Sequence, residues 1–372
     1  MLMIVGFHFV WVHQGSQWNI TTYPFSFKKI IFEFLYGGGG WAGNFIFFVI
    51  SVWFLADQKN TLRSSFRRIW IMEREILFWS VVLAITCVLL RRSGYYVGTR
   101  SSAEMLVRST FPLITNFWWY PTSYAIFLLL IPFLNSGMKS LGARNHRSLA
   151  IICLVIWGIL GLVPNMTFGL TTGVFVFIYW YILIAYYRWY MQSLNKKQSL
   201  TLLLSGIAIE LVYLIGTNTF FAITHKMPLA QLFIINQWTL PTMMIGFALF
   251  TLVNRVTFHS KTINIIAASS FGIYLIHFDR YVFSFWEHYI PRNAIFESPY
   301  AILLGAAWIL GLFAICLVLD LIRQLLFRVT IDRNRGGCFD RLYDWISRRK
   351  HKYHAFSSPR PGAIGDDSDL VD

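Results

Sequence analysis

The sequence predicts an all-α, polytopic membrane protein of about ten transmembrane helices. Three observations carry that reading: 56% of the 372 residues are hydrophobic, only 13% are charged, and the charges fall between long apolar runs instead of alternating with them. Soluble domains are about one-quarter charged, and one with this balance would show water large apolar patches. The apolar surface has to meet lipid.

Windows long enough to cross a hydrocarbon core fall near 1–14, 42–56, 75–90, 113–134, 149–164, 172–187, 199–217, 235–254, 263–279 and 299–322. With a cytoplasmic N-terminus, the inner segments hold 23 of the 32 Lys and Arg residues and the outer loops 9. The positive-inside rule thus favours a multi-pass protein of the cell membrane with both termini cytoplasmic. The same distribution explains the net charge of +15 without nucleic acid, because the basic residues form no stripe on a soluble surface. Membrane lipids are the expected partner, and the outer Arg91, Arg92, Arg100 and Arg108, which run against the rule, suit anionic headgroups or an acidic glycan.

The first window is short. Met1 to Gln14 gives at most about 21 Å of helix, and it lacks the basic start and cleavage site of a signal peptide, so a longer first helix beginning before Met1 is expected. The membrane unit covers 1–330. Over 331–372 a basic juxtamembrane segment around Phe339–Ile346 mixes apolar and charged residues as an interfacial helix does, and an acidic tail with Pro359, Pro361 and Asp366 reads as disordered. Cys87, Cys153 and Cys316 lie in apolar runs and Cys338 in the basic segment, so no disulfide or metal framework is readable.

Polar residues within the spans are the candidates for chemistry. His8 is either a packed histidine or a general base, since imidazole takes a proton near neutral pH. His13 lies about 140° around the helix from it, so the two do not form a metal pair, and no metal is expected. Gly37 to Gly40 lead into a helix bearing Asn44 and Ser51, either to let helices pack closely or to admit a ligand. Arg67 and Arg68 stand in an arginine-dense inner segment that could hold donor phosphates or anchor the inner leaflet. Ser270, Tyr274 and His277 share a helix face through their i, i+4, i+7 spacing and should line a cavity. Glu210 and Asp320 are either neutral packing groups or part of a polar path.

Taken together, Met1–His8, Phe45–Phe54, Trp118–Tyr124 with Pro132–Asn135, Tyr179–Tyr187 and the Ser-Phe-Gly-Ile-Tyr-Leu-Ile-His run ending at His277 resemble the integral membrane acyltransferases of the acyltransferase-3 group. That group includes O-acetyltransferases of bacterial surface polysaccharides. The resemblance implies an acyltransferase using acetyl-CoA or another acyl-CoA as donor substrate, with no permanently bound cofactor, and a cell-surface or lipid-linked glycan as acceptor. It places the essential histidine at His8 and an arginine eleven positions earlier, before Met1, on the same helix face. Arg67 and Arg68 are then the candidates to hold the donor. The competing class is a transporter or flippase in which Glu210, Asn236 and Asp320 line a path, but it calls for an inverted repeat that the sequence does not show.

The topology is open to a direct check. A cysteine introduced within 165–171 should react with an impermeant thiol reagent added outside intact cells, and one within 140–146 should not; the opposite pattern would refute the orientation.

Overall fold

The computed structural model describes residues 1–11, 18–95, 98, 100–163, 168, 170, 172–225, 236–257 and 259–357, with side chains described up to 348. His13 and the tail 358–372 lie outside these. In chain order the helices are α1 (Leu2–Val10), α2 (Phe27–Ile30), α3 (Gly39–Leu55), α4 (Leu62–Arg92), α5 (Ser102–Thr110), α6 (Trp119–Cys153), α7 (Val174–Tyr190), α8 (Lys196–Thr224), α9 (Leu240–Asn254), α10 (Lys261–Ala268), α11 (Ser270–His277), α12 (Arg280–Tyr289), α13 (Arg292–Glu297), α14 (Ala301–Val329) and α15 (Gly337–Ser357). No strand occurs among the described residues. In lipid a chain has to close its own backbone hydrogen bonds, which helices do within one segment.

Among the described residues, each of the ten apolar windows includes helix. The helical stretches Phe27–Leu55, Trp119–Leu162, Lys196–Thr224 and Ala301–Val329 are long and apolar enough to cross a membrane, and α9 is a shorter apolar helix. Leu303, Val318, Ile322 and Leu325 of α14 and Val212 and Ile223 of α8 point outward, as an outer face solvated by hydrocarbon requires. The N-termini are capped in the ordinary way: Thr61 and Ser64 form a reciprocal box on α4, and Asn195 and Gln198 do the same on α8.

Two segments expected to be loops are helical. Within 15–41, α2 runs through a π-helical turn, Ile31–Tyr36, toward α3. The buried Lys29 Nζ donates to the carbonyls of Thr21 (3.0 Å) and Tyr23 (2.8 Å) and lies 3.9 Å from Glu33, while Asn218 Nδ2 of α8 donates to Glu33 Oε2 at 2.8 Å. Hydropathy averaging scores Lys29 and Glu33 as loop residues, whereas their mutual pairing lets them be buried. Within 135–148 only Gly142 leaves the helical region, at φ 70° and ψ 168°, a backbone that suits glycine. Both sides of it fasten to one turn of α7: Tyr181 Oη donates to Asn135 Oδ1 (2.6 Å), and His146 Nε2 donates to the Ile182 carbonyl (3.0 Å).

The strongest internal anchor is Asp320 of α14, which is fully buried. It accepts from Arg323 Nε (2.7 Å), Trp79 Nε1 (3.2 Å) and Gln324 Nε2 (2.9 Å), and Arg323 also pairs with Glu75 at 3.2 Å. Gln324 Nε2 reaches on to Ser269 Oγ at 2.8 Å, so the network ties α4, α14 and the α10–α11 junction together. Gly272 of α11 lies directly against the Asp320 carboxylate, where any Cβ would overlap it. Asp320 is thus a hydrogen-bonded packing carboxylate.

Removing one member of this network should cost more than removing the pair. Asp320→Ala leaves the buried Arg323 with Glu75 alone and takes the acceptor from Trp79 and Gln324, and is expected to lower stability by about 3–5 kcal/mol. The double variant Asp320→Ala/Arg323→Leu should recover part of that loss, as measured by unfolding in detergent; a double variant worse than the sum of the singles would contradict the assignment.

Candidate active site

The site is built where the end of α1 meets the end of α11. Helix α1 lies close against α3 because Gly40 faces Phe7 and Gly43 faces Ile4, with no room for a side chain at either glycine. The glycine run therefore serves helix packing. The last carbonyls of α1, which have no partner within the helix, are satisfied from outside: Trp18 Nε1 donates to Val10 (2.8 Å), and Arg292 Nε donates to Phe9 (2.9 Å). Burial pulls the Arg292 guanidinium down to about 10, so it is still a cation at neutral pH and complements the helix C-terminus.

This fixes the turn of α1 that carries His8. Its Nδ1 lies 2.9 Å from Nε2 of His277 on α11. The other nitrogen of His277, Nδ1, is 2.6 Å from the Ile273 carbonyl, which can only accept, so Nδ1 carries the proton. In the neutral imidazole Nε2 of His277 is then the acceptor, and His8 must donate through Nδ1. The lone pair of His8 is left on Nε2, the nitrogen a general base needs. The His8 ring stacks on Phe278 with centroids 4.0 Å apart and 10° between planes, and Phe283 and Phe7 meet it edge-on.

Of the other residues singled out from the sequence, Asn44 and Tyr274 face a cavity of about 20 Å³ together with Met1, Ile4, Tyr120 and Phe271. That volume admits about one water molecule. Tyr120 Oη donates to the Asn44 carbonyl at 3.4 Å, and the buried Tyr274 hydroxyl has no hydrogen-bond partner among the described residues. Ser51 donates back to the Phe47 carbonyl (3.2 Å), and Ser270 is half-buried at the opposite end of α11 from His277. Arg67 and Arg68 have separate engagements. Arg67 donates to Asp340 (3.1 Å) and to the Arg335 carbonyl (2.9 Å), while Arg68 donates to Asn60 (3.0 Å) and Gln58 (2.7 Å). Elsewhere, Glu210 accepts from Thr242 Oγ1 at 2.9 Å.

Sequence reasoning missed Arg292 and Trp18 as supports of α1, and Ser269 and Gln324 as links to Asp320. Only the Asp320, Arg323, Gln324 spacing, one face of a helix, gave any signal.

The acyltransferase domain of the acyltransferase-3 group matches residues 1–322, so the chain belongs to this family of membrane acyltransferases. No curated protein and no solved structure matches it significantly.

The tautomer argument is testable by substitution. His277→Phe removes the acceptor for His8 Nδ1–H; the loss of one hydrogen bond, about 1–1.5 kcal/mol, corresponds to about a tenfold drop in acyl transfer. Because the two rings act as a unit, His8→Ala/His277→Phe should be no slower than His8→Ala alone. Additive losses would show that His277 acts independently of His8.

Proposed function

We propose that the chain transfers an acyl group, acetyl in the simplest case, from cytoplasmic acyl-CoA to a hydroxyl of a cell-surface or lipid-linked glycan. The single observation behind the chemistry is the His8–His277 hydrogen bond, whose proton arrangement leaves a basic nitrogen on His8. In this reading Nε2 of His8 takes the proton of the acceptor hydroxyl as the oxygen attacks the thioester carbonyl. The carbon–oxygen bond forms, the carbon–sulfur bond breaks, and the departing thiolate takes the proton back from His8. While His8 is an imidazolium, its Nδ1–H bond to His277 strengthens, because the donor is then charged.

The proposed orientation supports this division of labour. With the termini cytoplasmic, the arginine-rich ends of α4 and α14 face the compartment that supplies acyl-CoA. The aromatic groups around His8, Phe278 and Phe283 then lie toward the outer half, and ring faces of this kind suit the apolar faces of sugars. A flippase needs no group with these proton positions, and the family match favours the enzyme.

His8→Ala should reduce transfer of labelled acyl groups in membranes holding the full chain by about a hundred- to ten-thousandfold. Equal membrane levels and equal thermal stability of variant and parent have to be shown alongside. Near-normal turnover in a well-folded His8→Ala protein would rule out the mechanism.

A further inference from the structure

A second polar chamber of about 300 Å³ lies between α4, the α10–α11 junction, the end of α14 and the short 3₁₀ turn Ile331–Asn334. Its charged walls are Arg74, Glu75, Arg323, Arg328, Asp332 and Arg335. Arg323, at its base, is held by Asp320 and Glu75, and Arg74 pairs with Asp332 at 2.8 Å. The Nε of Arg74 is buried with no hydrogen-bond partner among the described residues. The side chains of Arg328 and Arg335 have no ion pair or hydrogen bond among them either. Four guanidiniums thus face three carboxylates when Asp320 is included, one positive charge in excess, and the exposed Arg328 and Arg335 are the two of the four in no ion pair among the described residues.

The wall is also held in place. Arg67 grips the Arg335 carbonyl and Asp340, and Arg63 pairs with Asp344 at 2.8 Å, so α4 fixes the segment that carries Arg335 beside the chamber. Forked guanidiniums without carboxylate partners, grouped around a cavity of this size, match phosphate oxygens better than any neutral ligand. The chamber and the histidine pair stand at the two ends of α11. Ser270 and His277 are separated by about 10 Å along the helix axis, and the small Tyr274 cavity lies between.

We infer that this chamber holds the phosphate groups of the nucleotide-bearing acyl donor. This rests on the proposed use of acyl-CoA and assigns the phosphate contacts to Arg328 and Arg335, with Arg74 behind them. Arg67 acts one step removed, by positioning Arg335.

The test is binding of coenzyme A and of adenosine 3′,5′-bisphosphate to the full chain in phosphatidylcholine nanodiscs, measured by titration calorimetry. Both ligands should bind, and adenosine without phosphates should not. Arg328→Ala/Arg335→Ala should weaken both at least tenfold, whereas Arg144→Ala, a surface charge on α6, should leave them unchanged. A loss under threefold in the double variant overturns the assignment. So does a double variant whose nucleotide affinity is intact while its response to phosphatidylglycerol in the nanodisc is lost, since the arginines would then be lipid contacts. Retained binding in a parent protein that transfers no acyl group would keep the chamber and refute the reaction; full transfer by the double variant would do the reverse.

Discussion

The structure depends on one short hydrogen bond between two rings on different helices, His8 Nδ1 to His277 Nε2. Such a bond tolerates only a few tenths of an ångström of error, so the four helices around it have to meet closely. Glycines make this possible at the two contacts where a side chain would intervene: Gly40 beneath Phe7 brings α1 onto α3, and Gly272 beneath Asp320 brings α11 onto α14. Hydrocarbon supplies no hydrophobic drive between helices, so such close approach and internal polar bonds are what bind them. Arg292 and Trp18 complete the arrangement by satisfying the carbonyls at the end of α1 that lipid could not.

The Asp320 network gives α11 its fixed end. Asp320 binds Arg323, Trp79 and Gln324, and Gln324 holds Ser269 at the start of the helix. The opposite end of the same helix presents His277. One eight-residue helix therefore sets the separation between a charged chamber and an imidazole pair, and a ligand that spans both would be positioned by its length as well as by its groups. Buried ion pairs are weak evidence of stability, because desolvation offsets most of their attraction. Here the geometric consequence matters more, since the network admits one register of α11 against α14.

Much of this was legible in the sequence and some was not, for physical reasons. Hydropathy located the apolar helices, four of them long and apolar enough to cross a membrane, because the cost of exposing backbone and charge to lipid acts on averages over about twenty residues. The Ser270–Tyr274–His277 face was legible from its period, and His277 does turn inward. That His277 meets His8 was not: the two lie 269 positions apart, and no local pattern reports such a contact. Lys29 and Glu33 misled the reading in the other direction, because a window average counts charges and is blind to their pairing. Arg67 and Arg68 illustrate a third failure. Their density signalled an anion site, but a guanidinium already spent on Asp340 or Gln58 has less to offer a phosphate than Arg328 and Arg335, whose lone positions in sequence drew no attention.

The chemistry of the pair also fits its surroundings better than the more familiar histidine–carboxylate arrangement would. A carboxylate behind His8 would place a permanent charge in a region of low dielectric, with a desolvation penalty of several kcal/mol before any substrate arrived. Two neutral imidazoles carry no such penalty, yet they still fix which nitrogen is basic, because the Ile273 carbonyl decides the tautomer of His277 and His277 decides that of His8. In the proposed reaction the positive charge appears on His8 only as the acceptor hydroxyl loses its proton, and at that moment the charged donor strengthens its bond to His277. In that proposal the interaction is stronger in the transition state than in the resting protein, the condition under which it would accelerate the reaction. A relay that is neutral at rest can be built inside a bundle whose outer face is hydrocarbon, and α1 and α11 bring one together without asking the membrane to accommodate an ion.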